Sequence, residues 1–156
     1  MPSVLFVCRA NRFRSPLAAG LFTKLVRERG LQGWEVASAG TWTTDGLPPV
    51  SQALQIASKW EIDISQHRSR SVCRELLDRQ DLIVVMERSQ KEALCWEFRD
   101  LADRIFTLAE IVDGVSYDIA DPIEDDAVGV LSDLKRLIET GFENLCLLAQ
   151  GKYASR

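Results

Sequence analysis

The chain has 156 residues, a length that suits one domain spanning 1–156, and its 46% hydrophobic and 27% charged residues are the proportions of an ordinary globular protein with a real core. With 19 Lys and Arg against 23 Asp and Glu, the net charge is −4; a general affinity for nucleic acid or acidic membrane is excluded, and any anion recognition must be local. Four separated cysteines without a C-x-x-C pair, and one histidine, give neither a disulfide framework nor the spacing of a metal site, and no apolar run approaches membrane-spanning length.

The start, Met1-Pro2-Ser3, lacks the basic region of a signal peptide, so the reducing cytoplasm is the expected compartment. Val4-Leu5-Phe6-Val7 predicts a buried parallel strand. Ser15 as N-cap and Pro16 at the first helical position predict a helix from Ser15 to about Glu28, ending before Gly30. A short strand is expected over Trp34–Ser38, a Gly- and Pro-containing loop over Thr41–Pro49, and a helix over Val50–Lys59. After an irregular stretch, a helix is expected over Arg70–Leu77. Leu82–Met86 reads as the clearest buried strand, followed by a helix over Ser89–Phe98 and a fourth strand over Arg104–Leu108. A turn and the loop Asp113–Asp126 then lead to one long amphipathic helix from about Ala127 to Ala149. Alternating strands and helices imply a parallel sheet covered on both faces, with ligands bound beyond the carboxyl ends of the strands.

Cys8 sits at such an end. The loop between the first strand and first helix, Cys8-Arg9-Ala10-Asn11-Arg12-Phe13-Arg14-Ser15, offers unpaired backbone N–H groups and the positive end of a helix dipole to a phosphate-like anion. A thiol in that setting is expected to be held as a thiolate, which is a nucleophile. Arg14 can grip two phosphoryl oxygens in a bidentate fork that lysine cannot imitate, and Ser15 can donate a hydrogen bond to the sulfur. Asn11 tolerates a left-handed backbone at mid-loop. The C-x5-R spacing carries little weight alone, because Cys73 and Arg79 repeat it inside a predicted helix. The strand before the first match and the Ser-Pro and helix after it set it apart.

Val7-Cys8-x-x-Asn11-x-x-Arg14-Ser15-Pro16, Ser38-Ala39-Gly40-Thr41, His67-x-Ser69-Arg70, Asp81-Leu82-Ile83 through Met86, and Asp121-Pro122 occur in an order that resembles the low-molecular-weight protein tyrosine phosphatase family. The resemblance covers nearly the whole chain. It implies a three-layer α/β/α, flavodoxin-like fold with a four-stranded parallel sheet in the order 2-1-3-4. It also implies metal- and cofactor-independent hydrolysis of phosphate monoesters through a phosphocysteine. Position by position it makes Cys8 the nucleophile, Arg14 the phosphate and transition-state clamp, and Asp121 the general acid and base; residues 9–15 form the phosphate-binding loop. Asn11, Ser15, Ser38 and His67 would hold that loop in shape, and Arg12, Trp42, Tyr117 and Ile123 are candidates for the substrate cleft. The implied substrate is a phosphotyrosine protein or peptide, with inorganic phosphate or other oxyanions as competing ligands.

Unaided, His67 would be a surface histidine and Asp121 one member of an acidic loop with Asp118, Glu124, Asp125 and Asp126. Three loop residues depart from the family pattern: Ala10 replaces a usual glycine, Phe13 a frequent second cysteine, and Arg12 a small or apolar residue. Arg12 is expected to favour acidic phosphoproteins and to oppose phosphoarginine by like-charge repulsion. Ile123 stands where an aromatic residue commonly flanks the substrate ring. The alternatives are a thioredoxin-coupled arsenate reductase, which lacks one of its two further cysteines here, and a phosphate-binding module without turnover.

Overall fold

The computed structural model describes residues 1–122 and 127–151, without the side chain of Ala127. Its sheet consists of β1 (Ser3–Cys8), β2 (Glu35–Gly40), β3 (Leu82–Val85) and β4 (Ile105–Thr107), all parallel, in the order β2-β1-β3-β4. The sheet order is the one the family resemblance implies. β1 is central and wholly buried, and its side chains alternate between two cores, as strand geometry requires. Val4, Phe6 and Cys8 face α1 (Arg14–Glu28), α2 (Ser51–Lys59), α6 (Ala127–Thr140) and α7 (Phe142–Ala149). Leu5 and Val7 face α3 (Arg74–Asp78), α4 (Arg88–Glu97) and the 3₁₀ segment Arg99–Arg104. The layers are therefore helix, sheet, helix. No helix among the described residues is long and apolar enough to cross a membrane.

Four boundaries differ from expectation, each for a local reason. Helix α1 starts at Arg14, with Phe13 at the N-cap and no capping side chain, because the Ser15 hydroxyl is engaged elsewhere. The helix expected from Arg70 starts only at Arg74. Residues 70–72 stay extended: Gly40 N–H donates to the Arg70 carbonyl at 2.8 Å, and Val72 N–H to the Gly40 carbonyl at 2.9 Å. A short helix, α5 (Leu108–Asp113), replaces the turn expected after β4. It is started by a reciprocal cap in which Thr107 Oγ1 accepts from Glu110 N–H and Glu110 Oε2 from Thr107 N–H. The long terminal helix is two helices meeting at Gly141, where a Cβ would collide with Val112 and the Leu137 carbonyl.

Parallel pairing brings Cys8 level with Gly40 and puts Val7 beside Val85. The carboxyl ends of β1, β2 and β3 thus meet where the loops 8–14, 41–50, 67–72 and 117–122 converge.

Candidate active site

The loop after β1 closes around the thiol. Cys8 is buried, its Sγ 3.0 Å from Ser15 Oγ and receiving the Asn11 N–H at 3.3 Å. A sulfur ringed by a hydroxyl and a backbone amide has donors in place to stabilise negative charge. Asn11 adopts a left-handed backbone, φ 59°, which turns its amide inward; asparagine is among the few residues that accept this conformation readily. Ala10 is not in the left-handed region, so the methyl group that stands where the family usually has glycine brings no backbone strain.

Asn11 is the hub. Its Nδ2 donates to Ser15 Oγ at 2.8 Å and Ser38 Oγ at 2.9 Å, and its Oδ1 accepts from Arg70 N–H at 2.9 Å. Its carbonyl lies 2.7 Å from His67 Nε2, which must carry the proton because a carbonyl only accepts. Burial pushes the His67 pKa down, the bond to Asn11 opposes this, and Arg70 and Arg68 add to the depression. His67 braces the loop from below through this bond. Gly40 is required beside it, since a Cβ there would lie 2.6 Å from the Arg9 carbonyl.

Arg14 is buried, and Nη1 makes both of its bonds: to Glu87 Oε2 at 2.5 Å and to the Ile119 carbonyl at 2.8 Å. Nε and Nη2 donate to no such tether among the described residues, which leaves one edge of the fork for a bound anion. Sequence reasoning missed Glu87, although an arginine this deeply buried needs an acid nearby and Glu87 follows β3 directly. Gln90, which bonds to Glu87 and to the Met86 and Glu87 amides, was missed as well.

Cys8, Ala10, Arg12, Phe13, Arg14 and Asp121 line one cavity of about 80 Å³ with Val50. The thiol and guanidinium of one loop thus share a slot with a carboxyl group from a distant one. Arg12 stands at its rim, its Nε donating to the Pro48 carbonyl at 2.7 Å, and Phe13 closes one wall from the core side. The other cleft candidates lie elsewhere. The Tyr117 hydroxyl donates to Asp113 at 2.7 Å and accepts from Arg136; burial, then Asp113, push its pKa up to about 12, so it anchors a loop. Trp42 lines a neighbouring cavity with Arg9. Ile123 lies outside the described residues, as do residues 124–126. Among the described residues no cluster of three His, Cys, Asp or Glu could hold a metal ion.

A cysteine at the end of a central parallel strand, cradled by the loop that opens the next helix and faced by a buried arginine, defines an α/β enzyme that works on phosphate-like anions. The chain belongs to the low molecular weight phosphotyrosine protein phosphatase family, whose model matches residues 3–152. It is 32% identical over 151 residues to the low molecular weight protein-tyrosine-phosphatase YfkJ of Bacillus subtilis, covering 93% of this chain and 94% of that one. It is 34% identical over 119 residues to a protein-arginine-phosphatase of Geobacillus stearothermophilus, covering 76% of this chain and 77% of that one. The crystal structure of a low molecular weight protein tyrosine phosphatase from T. tengcongensis superposes with a TM-score of 0.83 at 36% identity, covering 92% and 99% of the two chains. The protein is thus a phosphatase of this family.

Proposed function

We propose that residues 1–156 form one protein-tyrosine-phosphatase unit in which Cys8, Arg14 and Asp121 carry the reaction. The Cys8 thiolate attacks phosphorus, and the bond from phosphorus to the ester oxygen breaks while Asp121 gives that oxygen its proton. Arg14 and the loop amides hold the phosphoryl oxygens as charge builds on them. Water then attacks the phosphocysteine, Asp121 takes its proton, the phosphorus–sulfur bond breaks, and phosphate leaves with the thiolate restored. Ser15 Oγ donates to the departing sulfur. The side chains of Asn11, Ser38 and His67 act on the loop's shape and touch no reacting atom. The observation that carries this reading is the shared slot, which Asp121 lines together with a thiol already bonded to Asn11 N–H and Ser15 Oγ. All four cysteines are free thiols, which suits the reducing cytoplasm.

Phosphotyrosine is the favoured substrate over phosphoarginine. Although one relative is a protein-arginine-phosphatase, a guanidinium leaving group would enter this slot beside Arg12 and Arg14, and nothing acidic except Asp121 lines it. Arsenate reduction finds less support: burial pushes the Cys95 thiol pKa up, which disfavours a reactive thiolate there. The test is hydrolysis of a chromogenic aryl phosphate, phosphotyrosine peptides and phosphoarginine in the presence of a chelator. Wild type is expected to turn over the first two, with Cys8→Ser inert and Asp121→Ala slowed by about 10²–10⁴-fold. Activity retained by Cys8→Ser would overturn the mechanism; phosphoarginine hydrolysed faster than phosphotyrosine would overturn the substrate.

A further inference from the structure

Next to the slot, with Arg9 following the nucleophile in sequence, lies a second cavity of about 290 Å³, lined by Arg9, Thr41, Trp42, Glu87, Ser89 and Ala93 among others and not by Arg12. Its cation and its aromatic ring are arranged on each other. The Arg9 guanidinium sits 4.5 Å from the centre of the Trp42 ring, and Trp42 N–H donates to the Arg9 carbonyl at 2.9 Å. The backbone bond fixes the spacing and the ring fixes the guanidinium, so the arginine loses little further freedom when it captures an anion. Trp42 nevertheless keeps 71% of its surface exposed, an unusual state for an indole that packs no core.

Arg9 also has no carboxylate partner among the described residues, in contrast to Arg14, Arg74, Arg88 and Arg136. The acid in the cavity, Glu87, is committed: its Oε2 accepts from Arg14 Nη1 and from Gln90 Nε2. A stacked guanidinium without a carboxylate partner among the described residues, directly after the nucleophile in sequence and beside a cavity with room for an amino-acid side chain, has the chemistry of a receptor for a carboxylate.

We propose that Arg9 and Trp42 form a subsite for an acidic residue flanking the phosphorylated residue of the substrate, Arg9 binding its carboxylate and Trp42 covering its methylenes. The subsite rests on the phosphotyrosine reading above and adds a selection rule to it. With Arg12 lining the slot and Arg9 the neighbouring cavity, a substrate segment meets two cations on a protein whose net charge of −4 would otherwise repel acidic partners. Local cations then override the global field over a Debye length of about 8–10 Å.

The test uses phosphotyrosine peptides identical except for Glu, Gln or Lys at one flanking position, scanned on both sides. Wild type is expected to prefer Glu over Lys at one position through KM, with kcat nearly constant, and to lose the preference as salt is raised. Arg9→Gln should shrink that Glu:Lys ratio by about two- to five-fold, the scale of an exposed ion pair, and Trp42→Ala should act in the same direction by less. Each ratio is taken within one variant, so a general loss of activity cannot imitate the result. A ratio unmoved by Arg9→Gln but lost in Arg12→Gln would overturn the subsite and leave the phosphotyrosine reading intact. Wild type inert toward every phosphotyrosine peptide would overturn the substrate reading, and the subsite with it.

Discussion

Two stretches of this chain share the spacing Cys-x5-Arg, and they have nothing else in common. Cys8 and Arg14 are buried, the residues between them curl around the sulfur, and Asn11 in the middle makes bonds to Cys8, Ser15, Ser38, His67 and Arg70. Cys73 and Arg79 are exposed and flank α3, Cys73 at its N-cap in extended backbone and Arg79 at its C-cap. In the second stretch the intervening residues are wound into a helix, with Leu77 N–H donating to the Cys73 carbonyl at 3.0 Å, and no amide among the described residues turns back to the sulfur as Asn11 N–H does to Cys8. What distinguishes the first is position in the fold: a strand end aims the thiol out of the sheet, and the helix begins only at Arg14, so the amides before it remain available. Spacing supplies atoms, and the fold decides which way they point.

The largest effect expected from breaking this difference comes from Arg14→Lys, which keeps the charge and removes the planar fork. Turnover of an aryl phosphate should fall by about 10²–10³-fold, the cost of losing an oriented transition-state donor, while thermal stability changes far less. Next is Asn11→Ala. It removes three side-chain bonds and places alanine at φ 59°, so a loss of about 3 kcal/mol is expected, on the order of 10 °C in melting temperature. Calorimetry checks it. Glu87→Gln leaves Arg14 in place but weakens its tether; about a tenfold fall in kcat is expected, with Glu87→Asp restoring part of it. Restoration by Asp separates orientation of Arg14 from bulk packing.

His67 adds a pH dependence in the same loop. Its folded pKa lies below the ordinary 6.5, so between the two values the unfolded chain binds more protons. The contribution is present in full above about pH 6.5 and is lost as pH falls through the folded value. Melting temperature should therefore drop on acidification through this window, and His67→Gln should flatten that part of the curve.

The parts of the fold that depend on local pattern were readable from the residues. β1, β3, α1, α2 and α4 lie within a few residues of where apolar runs and helical spacing put them. The S/T-x-x-E signature of Thr107-Leu108-Ala109-Glu110 was equally local, and it marks the start of α5, which pattern reading passed over as a turn. Other features were hidden because they arise only on folding. Ser15 looks like an N-cap until the sulfur and Asn11 claim its hydroxyl, and Arg70–Val72 looks helical until the end of β2 pairs with it. Glu87 gains its role only because β3 delivers it to Arg14, 73 positions away. For the site, the loop residues were legible in one stretch of sequence. Ser38, His67 and Asp121 came from the family resemblance, since no physical rule of spacing links them to Cys8.

The smallest expected effect is also the sharpest control. Cys73→Ser with Arg79→Gln erases the second Cys-x5-Arg match, and the structure gives these residues no contact with the slot. Cys73 is exposed, so no cavity forms, and the side chain of Arg79 makes no ion pair among the described residues. The backbone bonds at these positions, the Arg79 carbonyl accepting from Ser3 Oγ at 2.9 Å and the Cys73 carbonyl from Leu77 N–H at 3.0 Å, are left in place by side-chain changes. Stability should move by no more than about 0.5 kcal/mol, and kcat and KM for an aryl phosphate should match wild type. An alkylating agent applied to native protein provides the complementary reading. Wild type should lose activity at a rate that phosphate slows, because phosphate occupies the slot over Cys8, and the double variant should lose it at the same rate with the same protection. If removing Cys73 instead slowed inactivation, the exposed thiol would be influencing the site, and position in the fold would no longer separate the two matches.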